Sequence, residues 1–174
     1  MPSDLTRGAY SGKETFLYYN SATYASPTWE EIPRARNISV NDGPGLADVE
    51  FHGSENTSQI PGYKAFNGSL EYVRRRTTAA TPDDVYDYLK AASENGTIVD
   101  LLHLNQNRVV PDGTNNPPDN PDAIGWRAPC ILGQFSETAN GGDPVVASLP
   151  FSLADAYDSA GDQIAKEPYP EPTP

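Results

Sequence analysis

The side chains best equipped for chemistry in this chain are few and scattered. Cys130 is the one cysteine, and the two histidines, His52 and His103, stand far apart. A lone cysteine permits no intrachain disulfide and no thiolate metal cluster. Flanked by Pro129, Ile131 and Leu132, it reads as a buried structural thiol, and no Cys/His/Asn set marks it as a nucleophile. Each histidine falls within a strand pattern, so a zinc site is not expected. The adjacent carboxylates Glu30 and Glu31 suggest glycoside hydrolysis only until their geometry is considered. Neighbouring residues on a strand point to opposite faces, so the two are poorly placed to share a substrate.

Other constellations fare no better. The stretch Asp112 to Asp122 is acidic and carbonyl-rich, but it lacks the ligand positions of a calcium-binding EF-hand loop. No glycine-rich phosphate cradle opens a helix, and no Gly-X-Ser-X-Gly elbow is present. Arg74-Arg75-Arg76 is the only basic cluster, and a solvated strand end or a set of partners for acidic neighbours explains it. The expectation is a protein that is not an enzyme and carries no catalytic, cofactor-binding or metal-binding residues.

Composition narrows the class further. A chain of 174 residues fits one domain and buries roughly 70% of its unfolded surface on folding. Seventeen prolines and fourteen glycines punctuate many short apolar runs, which favours a β-rich domain. No repeat of solenoid period is visible. The net charge of −12 argues against tight binding to a nucleic-acid backbone. It suits either plain solubility or a wall that DNA passes without sticking. Residues 1–10 lack the apolar core of a signal peptide, and the apolar runs are too short to span a bilayer. The sequons at Asn37, Asn56, Asn67 and Asn95 therefore carry little weight.

The elements follow from periodicity. Residues 1–13 read as a flexible arm, 14–157 as a β domain with an exposed loop at 107–124, and 158–174 as a Pro-rich arm, extended and disordered when alone. Short strands are predicted at Thr15–Tyr19 and Thr28–Ile32. Alternation predicts strands at Asn37–Asn41 and Asp48–His52, with Asp42-Gly43-Pro44-Gly45 as a turn between them. In the second of these, Val49 and Phe51 face inward and Asp48, Glu50 and His52 outward. A polar loop spans Gly53–Gly62, followed by a long strand from Phe66 to Arg76. Thr81 as N-cap, Pro82 at the first helical position, an apolar stripe of Val85, Leu89 and Ala92, and Gly96 beyond the end predict one helix. Thr97–Leu104 reads as a strand buried on both faces, and Trp126–Phe135 as another. Val145, Ala147, Leu149, Phe151 and Leu153 line one face of the last strand, where Pro150 predicts an edge or a bulge.

This order of elements resembles the major tail tube proteins of long-tailed (siphophage-type) bacteriophages. The likeness rests on Thr28-Trp29-Glu30-Glu31-Ile32-Pro33, the alternating strands that follow, Ile60-Pro61-Gly62, and Gly68-Ser69-Leu70-Glu71-Tyr72. The single helix and a final strand pair, Trp126–Ser136 and Val145–Leu153, extend it to roughly Thr28–Leu153. The loop at 107–124 departs from it by its length. The resemblance implies a mainly β fold: an antiparallel β-sandwich or barrel with one flanking α-helix. It implies a structural virion protein whose copies form stacked hexameric rings, and so the tube that conducts DNA from capsid to host. Each open sheet edge would pair with a neighbouring copy.

In that setting Asp48, Glu50 and Glu71 are the candidate lumen-facing acids. Gly53, Ser54, Glu55, Asn56, Gln59 and Gly62 are the candidate ring-stacking loop. The implied partners are the chain itself, the tail tip, tape measure and tail terminator proteins, with DNA only as passing cargo and no membrane insertion. The implied location is the virion tail, assembled in the host bacterial cytoplasm. Contractile tails and secretion-system tubes share the fold, so the resemblance does not choose between machines. Two other readings stay open: a monomeric β-sandwich binding module for carbohydrate or protein, and a capsid decoration protein. A binding module needs several aromatics exposed on one surface, drawn from Trp29, Trp126 and ten tyrosines; a tube subunit buries them.

Overall fold

The computed structural model describes residues 15–50, 57–75, 82–106, 108, 123–139, 141 and 143–169, and only the backbone of 45–50 and 57–64. In chain order the elements are β1 Phe16–Asn20, β2 Trp29–Glu31, β3 Ala35–Glu50, β4 Thr57–Val73, α1 Asp84–Asn95 and β5 Ile98–Leu104. They continue with β6 Gly125–Leu132, β7 Ser136–Thr138, β8 Val146–Leu153, β9 Ala156–Tyr157, β10 Gln163–Ile164 and β11 Glu167–Tyr169. The described residues form two compact units. One lies within Met1–Pro33, Val99–Pro129 and Asp155–Pro174, the other within Arg34–Ile98 and Cys130–Ala154. Among the described residues no helix is long and apolar enough to cross a membrane.

In the first unit, β1 pairs antiparallel with β2 on one side and β5 on the other, so Tyr18 lies opposite both Glu31 and Leu102. β5 in turn borders β6. Strands flanked on both sides favour β-branched and aromatic residues buried on both faces, and Leu17, Tyr18, Tyr19, Val99, Leu101 and Leu102 are all buried. Tyr18, Leu102, Leu104 and Ala123 form a core cluster, against which Phe16, Trp29 and Tyr169 pack. Tyr169 arrives on β11, which pairs with β6 through Glu167 opposite Arg127. Part of the expected Pro-rich arm is therefore strand. β9 and β10 form a separate two-stranded pair.

The second unit is built on a long hairpin. β3 and β4 pair antiparallel from Ala35 opposite Tyr72 out to Glu50 opposite Thr57. β4 also pairs with β8, whose far edge takes β7 and then the last residues of β6. Three expectations are corrected here. The segment Asp42–Gly45 is not a turn: Asp42, Gly43 and Pro44 sit opposite Phe66, Ala65 and Lys64, and the irregularity is absorbed as a register shift between Pro44 and Leu46. Among the described residues β3 has no strand beyond it, and an edge strand tolerates a residue without an N–H and a bulge. The polar loop at Gly53–Gly62 is likewise shorter, because residues 57–62, with Gln59 and Gly62, belong to β4; Gly53, Ser54, Glu55 and Asn56 lie outside the described residues, as do His52 and most of 107–124.

The helix is the third correction. It begins two residues later than capping rules predict, with Asp83 as N-cap accepting from the Tyr86 amide; Thr81 lies outside the described residues. Asp83 wins this position because its carboxylate also accepts from the Tyr72 hydroxyl at 2.7 Å and the Arg75 amide at 2.7 Å. Tyr86, rather than Val85, joins Leu89 and Ala92 on the buried face. Gly96 ends the helix in the left-handed conformation, φ 63°, where a side chain would be strained.

Pro150 sits at an irregularity of the kind expected: three residues, 133–135, lie opposite Leu149 and Pro150. Its carbonyl accepts from the Gly133 amide, and a residue's N–H and C=O point to the same side of an extended strand. The missing donor therefore faces the seam where β8 changes partner, from Ser136 opposite Ser148 to Leu132 opposite Phe151.

Candidate functional site

The residues with the most chemical promise prove to be structural. Cys130 is fully buried. His103 stacks on Trp126 with ring centroids 5.5 Å apart, and burial pulls its imidazole below the usual 6.5. Glu30 accepts from the Tyr19 hydroxyl at 2.7 Å, which holds its carboxyl below the usual range, while burial pushes Glu31 up. Opposite shifts on adjacent residues fit carboxylates on opposite faces of β2. Arg74 lies 3.7 Å from Glu137 and 4.4 Å from the centroid of the Tyr86 ring. Arg76 lies outside the described residues. Among the described residues no three His, Cys, Asp or Glu side chains could hold a metal ion.

What the second unit does build is a sheet with two unlike faces. On one face lie Phe66, Leu70, Tyr72, Leu132, Ala147, Leu149 and Phe151, all buried. The helix α1 is tied to this side: the Tyr86 hydroxyl donates to Glu137 Oε1 at 2.6 Å, and its ring meets Phe135 edge-on at 5.4 Å. Cross-strand partners share a face, so the register writes out the opposite side row by row. Asn41, Asn67, Ser152 and Ile131 form one row, and Ser39, Ser69 and Pro150 the next. Arg36, Glu71, Ser148 and Ser136 make a third, and Val73, Val146 and Thr138 a fourth.

These four rows are polar and close to neutral. Asn41 Nδ2 donates to Asn67 Oδ1 at 3.1 Å, and the Ser39 and Ser69 hydroxyls bond at 2.8 Å. Within these four rows Glu71 is the one acid, and that charge is matched: Arg36 Nε lies 3.3 Å away and Asn37 Nδ2 donates at 2.7 Å. Asn37 reaches Glu71 from φ 50°, at the register shift between Arg36 and Ser39. The strands must lie close for this ladder to form, and a Cβ on Gly68 would run into the Ser39 carbonyl oxygen. At one end the face dips into a cleft of about 390 Å³ between Arg36, Glu71, Asp143 and Ser148.

Of the lumen candidates, Glu71 thus sits on this face as a compensated charge. Asp48 and Glu50 lie on the outer part of β3, opposite Gln59 and Thr57, with only their backbone described.

The first unit holds an arrangement that the sequence reading missed. Arg127 and Asp100 form a buried ion pair at 2.7 Å, their side chains 10% and 11% exposed. The guanidinium lies 3.6 Å from the Tyr24 ring centroid and 5.1 Å from that of Trp29, and donates to the Tyr24 carbonyl at 2.7 Å. Asn20 Nδ2 donates to Asp100 Oδ2 at 3.0 Å, while its Oδ1 accepts from the amides of Ala22 and Thr28. Burial pushes the Tyr24 phenol up to about 12, against the pull of the Arg127 charge. The signal was present: Asp100 and Arg127 are each the only Asp, Glu, Lys or Arg in a mostly apolar strand.

No protein-family model matches the chain, and no curated protein sequence does. Solved structures do match. The subunit of the SPP1 tail tube aligns over 90% of this chain and 78% of its own length, with a TM-score of 0.58 at 14% identity. A chain from the tail of an empty gene transfer agent particle covers 85% of this chain and 96% of its own, with a TM-score of 0.54 at 13% identity. A chain from the sheath–tube complex of an extracellular contractile injection system aligns over 93% of both, with a TM-score of 0.52 at 10% identity. These likenesses join a mostly antiparallel β architecture with a single helix among the described residues, and the chain has the tail tube fold.

Proposed function

We propose that this chain is the structural subunit of a tail tube: copies close into six-membered rings, and the rings stack into a hollow conduit for DNA. The observation that carries this reading is a fold likeness running over 85–93% of the chain, shared with tail and tube proteins of separate particles. The gene transfer agent tail has six-fold symmetry, which supports the ring number. The open edge of β3, sixteen residues long, suits pairing with a neighbouring copy, since an unpaired edge of that length invites association.

Within the ring, the helix-free face of the second unit lines the lumen, with Glu71 upon it and Asp48 and Glu50 further along β3. Gly53, Ser54, Glu55 and Asn56, with Gln59 and Gly62 on the adjoining strand, meet the next ring. Tail tip, tape measure and terminator proteins complete the partner set, in a virion tail assembled in the host cytoplasm. The protein does no catalysis in this role. The aromatic criterion supports the tube over a binding module: among the described residues only Tyr157 is an exposed aromatic, 59% accessible, where a glycan platform needs several.

Negative-stain electron microscopy of the purified protein, dilute and then concentrated, tests the proposal. Stacked rings or tubes with a central hole are expected at high concentration. A uniform monomer at both concentrations that binds glycans would move the assignment to a recognition module, and small rings that bind heads but never stack would move it to a decoration protein.

A further inference from the structure

The connection between β1 and β2 is longer than its job requires. Asn20 and Trp29 face each other across the pair, leaving the eight residues 21–28 as the loop, where hairpins usually need two to five. The extra length is held in shape. Ser21 N donates to the Thr28 carbonyl at 2.9 Å, Asn20 Nδ2 to the Thr23 carbonyl at 3.0 Å, and Ser26 N to the Thr23 hydroxyl at 3.2 Å. Beneath them the buried Arg127 grips Tyr24 by ring and carbonyl, and Asp100 fixes both Arg127 and Asn20.

A buried ion pair is a poor source of stability, since well-packed apolar residues serve as well or better; its attested use is to select one conformation. Here the conformation selected belongs to a surface loop. Ser21, Ala22, Thr23, Ala25, Ser26 and Thr28 are all exposed, and none is charged. That neutrality bears on the partner. The chain carries −12, so two copies repel wherever acidic surfaces meet, and an uncharged, preorganised loop is where they approach at least cost.

We propose that the loop 21–28 is a docking element for a second copy of this chain, held in its binding shape by the Arg127–Asp100 pair. The proposal rests on the self-assembling tube reading and adds to it a specific contact outside the lumen face and the β3–β4 hairpin. The doubly substituted Ala25→Asp/Ser26→Asp protein tests it, with Ser159→Asp/Ala160→Asp, on an exposed turn of the same unit, as the control that adds the same two charges. Both should keep the wild-type melting temperature, because the altered side chains are exposed. Assembly followed by sedimentation and electron microscopy should need at least about tenfold more of the loop variant at low salt, with partial recovery at high salt; the control should assemble as wild type does. Tubes of the loop variant at the wild-type concentration would overturn the loop assignment and leave the tube reading standing. An equal loss in the control would overturn it too, by showing a net-charge effect. A wild-type protein that never assembles would defeat the tube reading and this contact together.

Discussion

The two units use the same pair of chemical groups in opposite ways. In the first, Arg127 and Asp100 meet with side chains 10% and 11% exposed; in the second, Arg36 and Glu71 meet at 49% and 34%. The buried pair has no water to fall back on, so each member needs its partners, and the surrounding Asn20, Tyr24 and Trp29 are locked by that need. The exposed pair contributes little to stability, and its effect is to cancel charge within rows of otherwise uncharged side chains. Burial decides whether an arginine–carboxylate contact fixes a shape or sets a potential. In the second unit, shape comes instead from apolar packing between the sheet and α1.

The contrast is broken most severely by Arg127→Met, which strands the Asp100 carboxylate in the first unit. A loss of about 3–5 kcal/mol is expected in urea unfolding, whereas Asp100→Leu/Arg127→Met together should recover most of it while residues 21–28 become open to proteolysis. Leu89→Ala, in the fully buried stripe of α1, is the corresponding blow to the second unit and should cost about 2–4 kcal/mol. Asp83→Ala removes the helix N-cap and leaves the buried Tyr72 hydroxyl without its acceptor; about 2 kcal/mol should be lost in thermal or chemical denaturation.

Arg36→Ala should change stability by less than about 1 kcal/mol after screening. If it costs as much as Arg127→Met, burial is not what separates the two pairs. The smallest effect concerns pH. Burial depresses the His103 pKa, so the unfolded chain takes up a proton that the folded one refuses. Stability should be flat above the ordinary value near 6.5 and decline as pH falls below it toward the depressed one. A His103→Asn protein, followed by unfolding at several pH values, should lose that part of the slope.

Much of this was legible in the sequence, for local reasons. The burial of β5 on both faces, the inward set of Ala147, Leu149 and Phe151, and the Gly96 terminus all follow from side-chain periodicity and backbone strain. The failures share a cause: a partner distant in sequence. Asp42-Gly43-Pro44-Gly45 reads as a turn by itself, and only the opposing β4 residues hold it extended. Thr81 is a good N-cap on paper, but Tyr72 and the Arg75 amide give Asp83 the stronger reason.

The candidate site was half visible. Glu71 could be named as a candidate, but its neutralisation required Arg36 and Asn37, some thirty-five residues away in sequence. A charge of −12 fits plain solubility or an acidic wall, and in the four rows of the helix-free face the one acid, Glu71, is balanced by Arg36.

The most direct measurement is thiol labelling of a Ser69→Cys protein, before and after assembly, with a small maleimide and with one carrying a bulky polymer. Cys130 is buried and adds little background. If copies form a hollow tube lined by the helix-free face, free subunits should react with both reagents, and assembled tubes with the small one alone. Equal reaction of the bulky reagent with intact tubes would place that face on the outside and contradict the account.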